Sequence, residues 1–170
     1  AILAVDVFGH PADWDSLQEI ANRRGLLLIE DSAESIGAEY QGRRAGGLAD
    51  AGIFSFYPNK QVTTGEGGAV LTNHDTMARL CRSLRNQGRT DEGGWLQHER
   101  LGYNYRISDI NCALGLAQLE RLPSMLEARA RVAEFYNRRL RGVKGVAPPH
   151  VSPDVKMSWF VYVVRLSGEY

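Results

Sequence analysis

The sequence predicts an α/β fold built on a mostly parallel sheet with flanking helices. Three observations carry that prediction. Residues 2–7 form an apolar run rich in β-branched side chains, which suits a buried strand. From Trp14 to Arg24, Leu17, Ile20 and Ala21 recur at helical spacing. Residues 26–29 are again continuously apolar and end in Glu30 and Asp31. Strand, helix and strand joined by short links describe a βαβ unit, because a parallel neighbour is reached only by a crossover.

Each element has its own start and stop signals. Asp13 or Asp15 can cap the first helix and Gly25 can end it. Residues 51–56 and 67–72 read as further strands, and 75–85 as a helix. Between the two strands lies a loop dense in Gly and Thr, 59–68. Ser108 is a good cap for a helix over 109–122, and Pro123 then opens a second helix to about residue 141. A turn-rich link, 143–149, leads to a strand over 159–166. No internal repeat or low-complexity tract interrupts this order.

Composition narrows the function classes. Twenty basic residues balance twenty acidic ones, so no broad electrostatic surface for nucleic acid is expected. No apolar run approaches the ~20 residues that span a bilayer, and no signal peptide is visible. Cys81 and Cys112 form no CxxC pair; reduced, buried thiols and a cytoplasmic location are expected. The four histidines lack metal-ligand spacing, so no metal is expected. The chain opens inside a strand and without methionine, so an N-terminal part is expected to be missing.

Open parallel sheets collect functional groups at the carboxyl ends of their strands. Asp31 ends LLLIED, Ser55 ends GIFS, and Lys60 follows in YPNKQVTTGEGG. A lysine amine becomes nucleophilic when its surroundings favour the uncharged form, and can then form a Schiff base with an aldehyde cofactor. Such a cofactor, pyridoxal phosphate, needs an acid at its ring nitrogen and hydroxyls or amides at its phosphate. Asp31 and Ser55 supply groups of those kinds. Taken singly, each has a bland reading: a solvated loop lysine, a turn or cap aspartate, a sheet-end hydroxyl bonded to nearby backbone.

The ordered blocks VDVFGHPADWD, IEDSAESIGAEY, DAGIFSFYPNKQVTTGEGGAVLTN and RLGYNYRISDINCALGLAQLERL resemble the DegT/DnrJ/EryC1/StrS family of sugar aminotransferases. The resemblance implies the aspartate-aminotransferase fold, fold type I, with pyridoxal 5'-phosphate as cofactor. It implies a large cofactor-binding domain over 1–122, lacking its N-terminal part. Residues 123–170 then hold a linking helix and the truncated start of a small C-terminal α/β domain. It implies Lys60 as the Schiff-base lysine, Asp31 as the ring-nitrogen partner and Ser55 as a phosphate contact. Asn104 matches an asparagine that reaches the phosphate of a neighbouring subunit's cofactor, which implies a homodimer with shared active sites. Arg106 beside it either serves that interface or is an ordinary surface arginine. Glu34 stands where members carry Gln, His or Glu near the cofactor ring, in a form similar to perosamine-synthase-like members. The implied reaction moves an amino group from glutamate to a keto sugar nucleotide, with a 4-keto sugar preferred. These 170 residues alone are not expected to turn over.

Three rivals are weighed. A sugar dehydratase of the same family carries His in place of the lysine, so Lys60 opposes it. A non-catalytic or regulatory relative would fail to bind the cofactor. A plain nucleotide-binding domain would need a GxGxxG after its first strand, and none is present. TGEGG lacks a P-loop ending and is expected to fold the backbone closely around Lys60. The basic runs RRGLLL and ARARVAEFYNRRLR read as solvated helix faces. Trp14 and Trp159 are expected to pack against sheet or helices, and Trp95 to anchor its Gly-rich loop.

Overall fold

The structure, a computed structural model, describes residues 1–90, 94 and 97–168; Trp95 lies outside them. The strand–helix–strand signal is realised as expected. Strand β1 (Ile2–Val5), helix α1 (Trp14–Arg24) and strand β2 (Leu28–Asp31) form a unit in which β1 and β2 pair in parallel, Ile2 opposite Leu28 and Val5 opposite Asp31. Asp13 accepts the Ser16 N–H at 3.2 Å and satisfies one of the orphan donors of the first turn. Gly25 ends the helix at φ 62, a conformation that costs a residue without Cβ little.

Two short strands, β3 (Glu39–Tyr40) and β4 (Arg43–Arg44), make a hairpin beside this unit. Strand β5 (Ala51–Ser55) pairs in parallel with β2, and β6 (Gly68–Leu71) closes the main sheet antiparallel to β5. The sheet order is β1-β2-β5-β6, so three strands are parallel and one edge is reversed. Helix α2 (Asp75–Arg85) follows as predicted.

Alternation along the strands sorts the two faces. Leu28 joins Trp14, Ala21, Tyr40 and Leu48 in the core, with Ile2, Ala4 and Leu17 packed against it. Trp14 thus packs as expected. The opposite face carries Leu3, Val5, Ile29, Asp31, Ile53 and Val70, and leaves Leu3 59% exposed.

Helix α3 corrects the sequence reading. It runs unbroken over Asp109–Leu140, capped by Ser108, with Pro123 inside it rather than opening a second helix. An interior proline removes one backbone bond and costs roughly 3 kcal/mol. Anchors on both sides of it hold the helix straight through. Before the proline, the Gln118 amide accepts the Thr63 N–H at 3.1 Å and donates to the Thr63 carbonyl at 2.7 Å. After it, Leu126 lies over Gly37, where an added Cβ would collide with its side chain. Arg129 donates to the carbonyls of Trp159 and Phe160, so this part of the basic run is partly buried rather than a solvated face.

The tail contains β7 (Val146–Ala147), β8 (Val155–Lys156), which joins β3, and β9 (Arg165–Leu166), which pairs with β7. The strand expected over 159–166 is therefore confined to its last residues. Trp159 takes φ 55, which breaks the extended run. The donors that a sheet partner would use are bonded elsewhere: Ser158 N–H to the Gly9 carbonyl at 3.0 Å and Phe160 N–H to the Phe8 carbonyl at 3.2 Å. The Trp159 ring stacks on Tyr162, which in turn meets Tyr136 of α3, so it packs as expected. No described helix is long and apolar enough to cross a membrane. Cys81 and Cys112 are both free thiols.

Candidate active site

The parallel strands bring Asp31 and Ser55 together on one face. Asp31 is opposite Ile53, and Ser55 lies two residues beyond it, so both stand on the face away from α1 at the carboxyl ends of neighbouring strands. Each also shows the local bond of its bland reading. Asp31 accepts the Ala33 N–H at 3.1 Å, and Ser55 Oγ accepts the Tyr57 N–H at 3.3 Å. Both carboxylate and hydroxyl keep further lone pairs for an outside partner.

Lys60 sits in the loop that leaves β5, in a turn closed by its N–H on the Tyr57 carbonyl. Its side chain is 13% exposed, so most of it is shielded from water. Nζ lies 3.4 Å from Glu34 Oε1 and 4.5 Å from the centre of the Phe160 ring. The other Glu34 oxygen accepts the Phe8 N–H at 2.9 Å. The charge that a second acid adds next to Asp31 is thus met by an ammonium and a peptide N–H. Gln61 pins the same corner: its amide donates to the Glu34 carbonyl at 2.6 Å and to Ser158 Oγ at 3.0 Å. Among the described residues its buried Oε1 has no hydrogen-bond partner. The TGEGG segment turns the chain into β6, with Gly65 and Gly67 at positive φ, and a Cβ at Gly67 would run into Thr64 Oγ1.

On the opposite face of β2 a second pair of acids is fully enclosed. Glu30 accepts the Gly46 N–H at 2.5 Å, the Leu48 N–H at 2.8 Å and shares Ser32 Oγ with Asp6. Burial pushes the Glu30 carboxyl up, the charge of Asp6 adds to that, and the Gly46, Leu48 and Ser32 donors pull it partly back. Asp6 also accepts the Ala12 N–H and the Trp14 Nε1–H.

Asn104 lies elsewhere. It is exposed, bridges Asn86 just after α2, and is flanked by the rings of Tyr103 and Tyr105, stacked at 5.0 Å. Arg106 donates to Asn86 Oδ1 at 2.8 Å. Lys60, Asp31, Glu34 and Ser55 all fall at or just beyond the carboxyl ends of the parallel strands β2 and β5. Sequence reasoning missed Phe160, Gln61 and the Phe8 peptide. Only the order of fold elements could have pointed to Phe160, because no local pattern links the tail to the Lys60 loop.

The model of the DegT/DnrJ/EryC1/StrS aminotransferase family matches residues 1–170. The chain belongs to that family. GDP-perosamine synthase of Caulobacter vibrioides is 43% identical over 167 residues, covering 98% of this chain and 45% of the relative. The dTDP-3-amino-3,4,6-trideoxy-alpha-D-glucose transaminase of Streptomyces venezuelae is 39% identical, over 97% of this chain and 43% of its own length. Among solved structures, Helicobacter pylori PseC, an aminotransferase involved in pseudoaminic acid biosynthesis, superposes with a TM-score of 0.94 at 31% identity, over 99% of this chain and 46% of that one. S. venezuelae DesV, solved in complex with a ketimine intermediate, gives 0.92 at 38% identity, over 98% and 44%. The chain spans less than half the length of these relatives.

The DegT/DnrJ/EryC1/StrS aminotransferases use pyridoxal phosphate. The residues here suit that group. A largely buried lysine side chain lies beside a sheet end that offers a carboxylate and a hydroxyl on one face.

Proposed function

We propose that the full protein is a pyridoxal-phosphate-dependent aminotransferase that moves an amino group from glutamate to a keto sugar nucleotide. The observation that carries this reading is the largely buried Lys60 side chain, charge-paired with Glu34 beside the strand ends that bear Asp31 and Ser55. Lys60 would bind the cofactor's aldehyde carbon through its amine and move the substrate proton. Asp31 would hold the ring nitrogen protonated, and Ser55 would donate to the phosphate. Glu34 would stand near the ring, paired with Lys60. Asn104 would reach the phosphate in a neighbouring subunit, which makes the working form a homodimer with shared sites. When bound, the cofactor supplies an aromatic electron sink that carries the amine between donor and acceptor.

The relatives named for perosamine and for dTDP- and UDP-linked amino sugars support a sugar-nucleotide acceptor, with a 4-keto-6-deoxy sugar as the preferred form. In domain terms, 1–122 belong to the large cofactor domain and 123–170 to the link and the start of the small one. Helix α3 runs across that boundary. The free thiols suit a reducing compartment, the cytoplasm.

The test uses the full-length protein, glutamate and a panel of keto sugar nucleotides. Lys60→Ala is expected to lose both turnover and the visible absorbance that covalent attachment of the cofactor gives. An Ala variant that kept the parent's spectrum and rate would remove Lys60 from the site.

A further inference from the structure

The backbone of one residue, Phe8, holds both groups that touch Lys60. The N–H of Phe8 is bonded to Glu34 Oε2 at 2.9 Å, and the Phe8 carbonyl accepts the Phe160 N–H at 3.2 Å. Phe8 adopts φ 61 and ψ 13, a left-handed conformation that is uncommon for a bulky residue and persists only where surroundings impose it. The next residue, Gly9, has φ 92, and its carbonyl accepts the Ser158 N–H at 3.0 Å. A Cβ there would lie 2.7 Å from Ser158 Oγ and 3.0 Å from the N atoms of Trp159 and Phe160. The tail segment is therefore seated directly on the backbone of Phe8 and Gly9. From the other side, Arg129 of α3 holds the Trp159 and Phe160 carbonyls at 2.9 and 3.2 Å. Trp159, at φ 55, turns the chain between these two clamps. Phe160 has little freedom to leave its place over the amine.

We propose that Phe160 is a positioning residue for Lys60, its ring face and the Glu34 carboxylate being set on the amine together by the N–H and carbonyl of the left-handed residue Phe8. An aromatic face attracts an ammonium through its quadrupole and at the same time keeps water away. With Glu34 it fixes the direction of a four-carbon side chain that would otherwise sample many rotamers. The two contacts hold the Lys60 side chain in place until an incoming partner takes its position. The significance of this placement rests on the reading of Lys60 given above. The observation itself is independent of the cofactor.

The test measures the amine directly in cofactor-free, full-length protein. Lys60 is acylated with a small amine-reactive ester, and the rate at neutral pH is followed by peptide mass spectrometry. Each rate is divided by the same protein's alkaline plateau, which removes differences in access. Phe160→Leu keeps an apolar wall but removes the ring face, and is expected to raise the normalised rate about threefold; Phe160→Trp offers a stronger face and is expected to lower it about threefold. A merely structural role would move both variants in the same direction. Equal normalised rates in all three proteins, or shifts of the same sign, overturn the proposal. Failure of the cofactor reading shows separately, as a Lys60→Ala protein that still binds pyridoxal phosphate covalently.

Discussion

Glu30 and Asp31 are neighbours on one strand, yet they live in opposite chemical worlds. Glu30 is completely buried, and both its oxygens are occupied by the Gly46 and Leu48 N–H groups and Ser32. Asp31 is partly exposed and, among the described residues, its side chain takes one local bond, from Ala33. The period of two puts one carboxylate into the layer under α1 and the other onto the face that also bears Ser55. A saturated acid is a fastener of the fold, whereas an acid with spare lone pairs can serve a ligand. Charge and sequence position do not separate the two; the count of donors does.

The sharpest way to break this contrast is to truncate the buried partner. Glu30→Ala leaves the Gly46 and Leu48 N–H groups without acceptors in a closed site. We expect a loss of about 3–5 kcal/mol in urea unfolding, since each orphaned buried donor costs roughly 1–3 kcal/mol. A loss below about 1 kcal/mol would mean that Glu30 does not bind this loop. Next in size is Asp31→Asn, whose carbonyl oxygen can still accept from Ala33. Stability should stay within about 0.5 kcal/mol, while turnover of the full-length protein falls roughly 100-fold, about 2.7 kcal/mol of barrier. Undiminished turnover would take Asp31 out of the mechanism.

The smallest expected effect is a pH dependence. The folded Glu30 carboxyl is raised above its ordinary value of 4.5, chiefly by burial. A raised group binds its proton more tightly when folded. The stability it contributes is therefore fully present below that ordinary value and is lost as pH rises through the folded value. Glu30→Gln removes this slope, which is at most about 1.4 kcal/mol per pH unit. Urea midpoints measured across the acidic to neutral range should differ in steepness between parent and Gln variant. Parallel lines for the two would show that Glu30 does not titrate with folding.

Much of the fold was legible because local signals agreed with it. Asp13, Gly25 and Ser108 cap or stop helices where they were expected to, and the apolar runs became β1, β2 and β5. Pro123 misled because a breaker acts locally, while the anchors at Gln118, Leu126 and Arg129 are tertiary. Residues 159–166 misled for the same reason: their apolar pattern suits a strand, but Phe8 and Gly9 take the backbone donors. In the site, Lys60, Asp31 and Ser55 were readable as strand-end chemistry. The contact between Glu34 and Lys60 was not, because it depends on how the turn after β2 meets the loop after β5. Phe160 was invisible until α3 and the tail were folded back over that loop.

The side chain of Gln118 does for the Lys60 loop what a neighbouring strand would do. Its amide gives one hydrogen and takes one from the same residue, Thr63, so the loop's height above the sheet is indexed to a single turn of a long rod. Any tilt of that rod is passed to the loop as displacement. The connection reads main-chain atoms only, so this pair tolerates drift in the side chain at 63. It does not tolerate glutamate at 118, which has no hydrogen to offer the carbonyl.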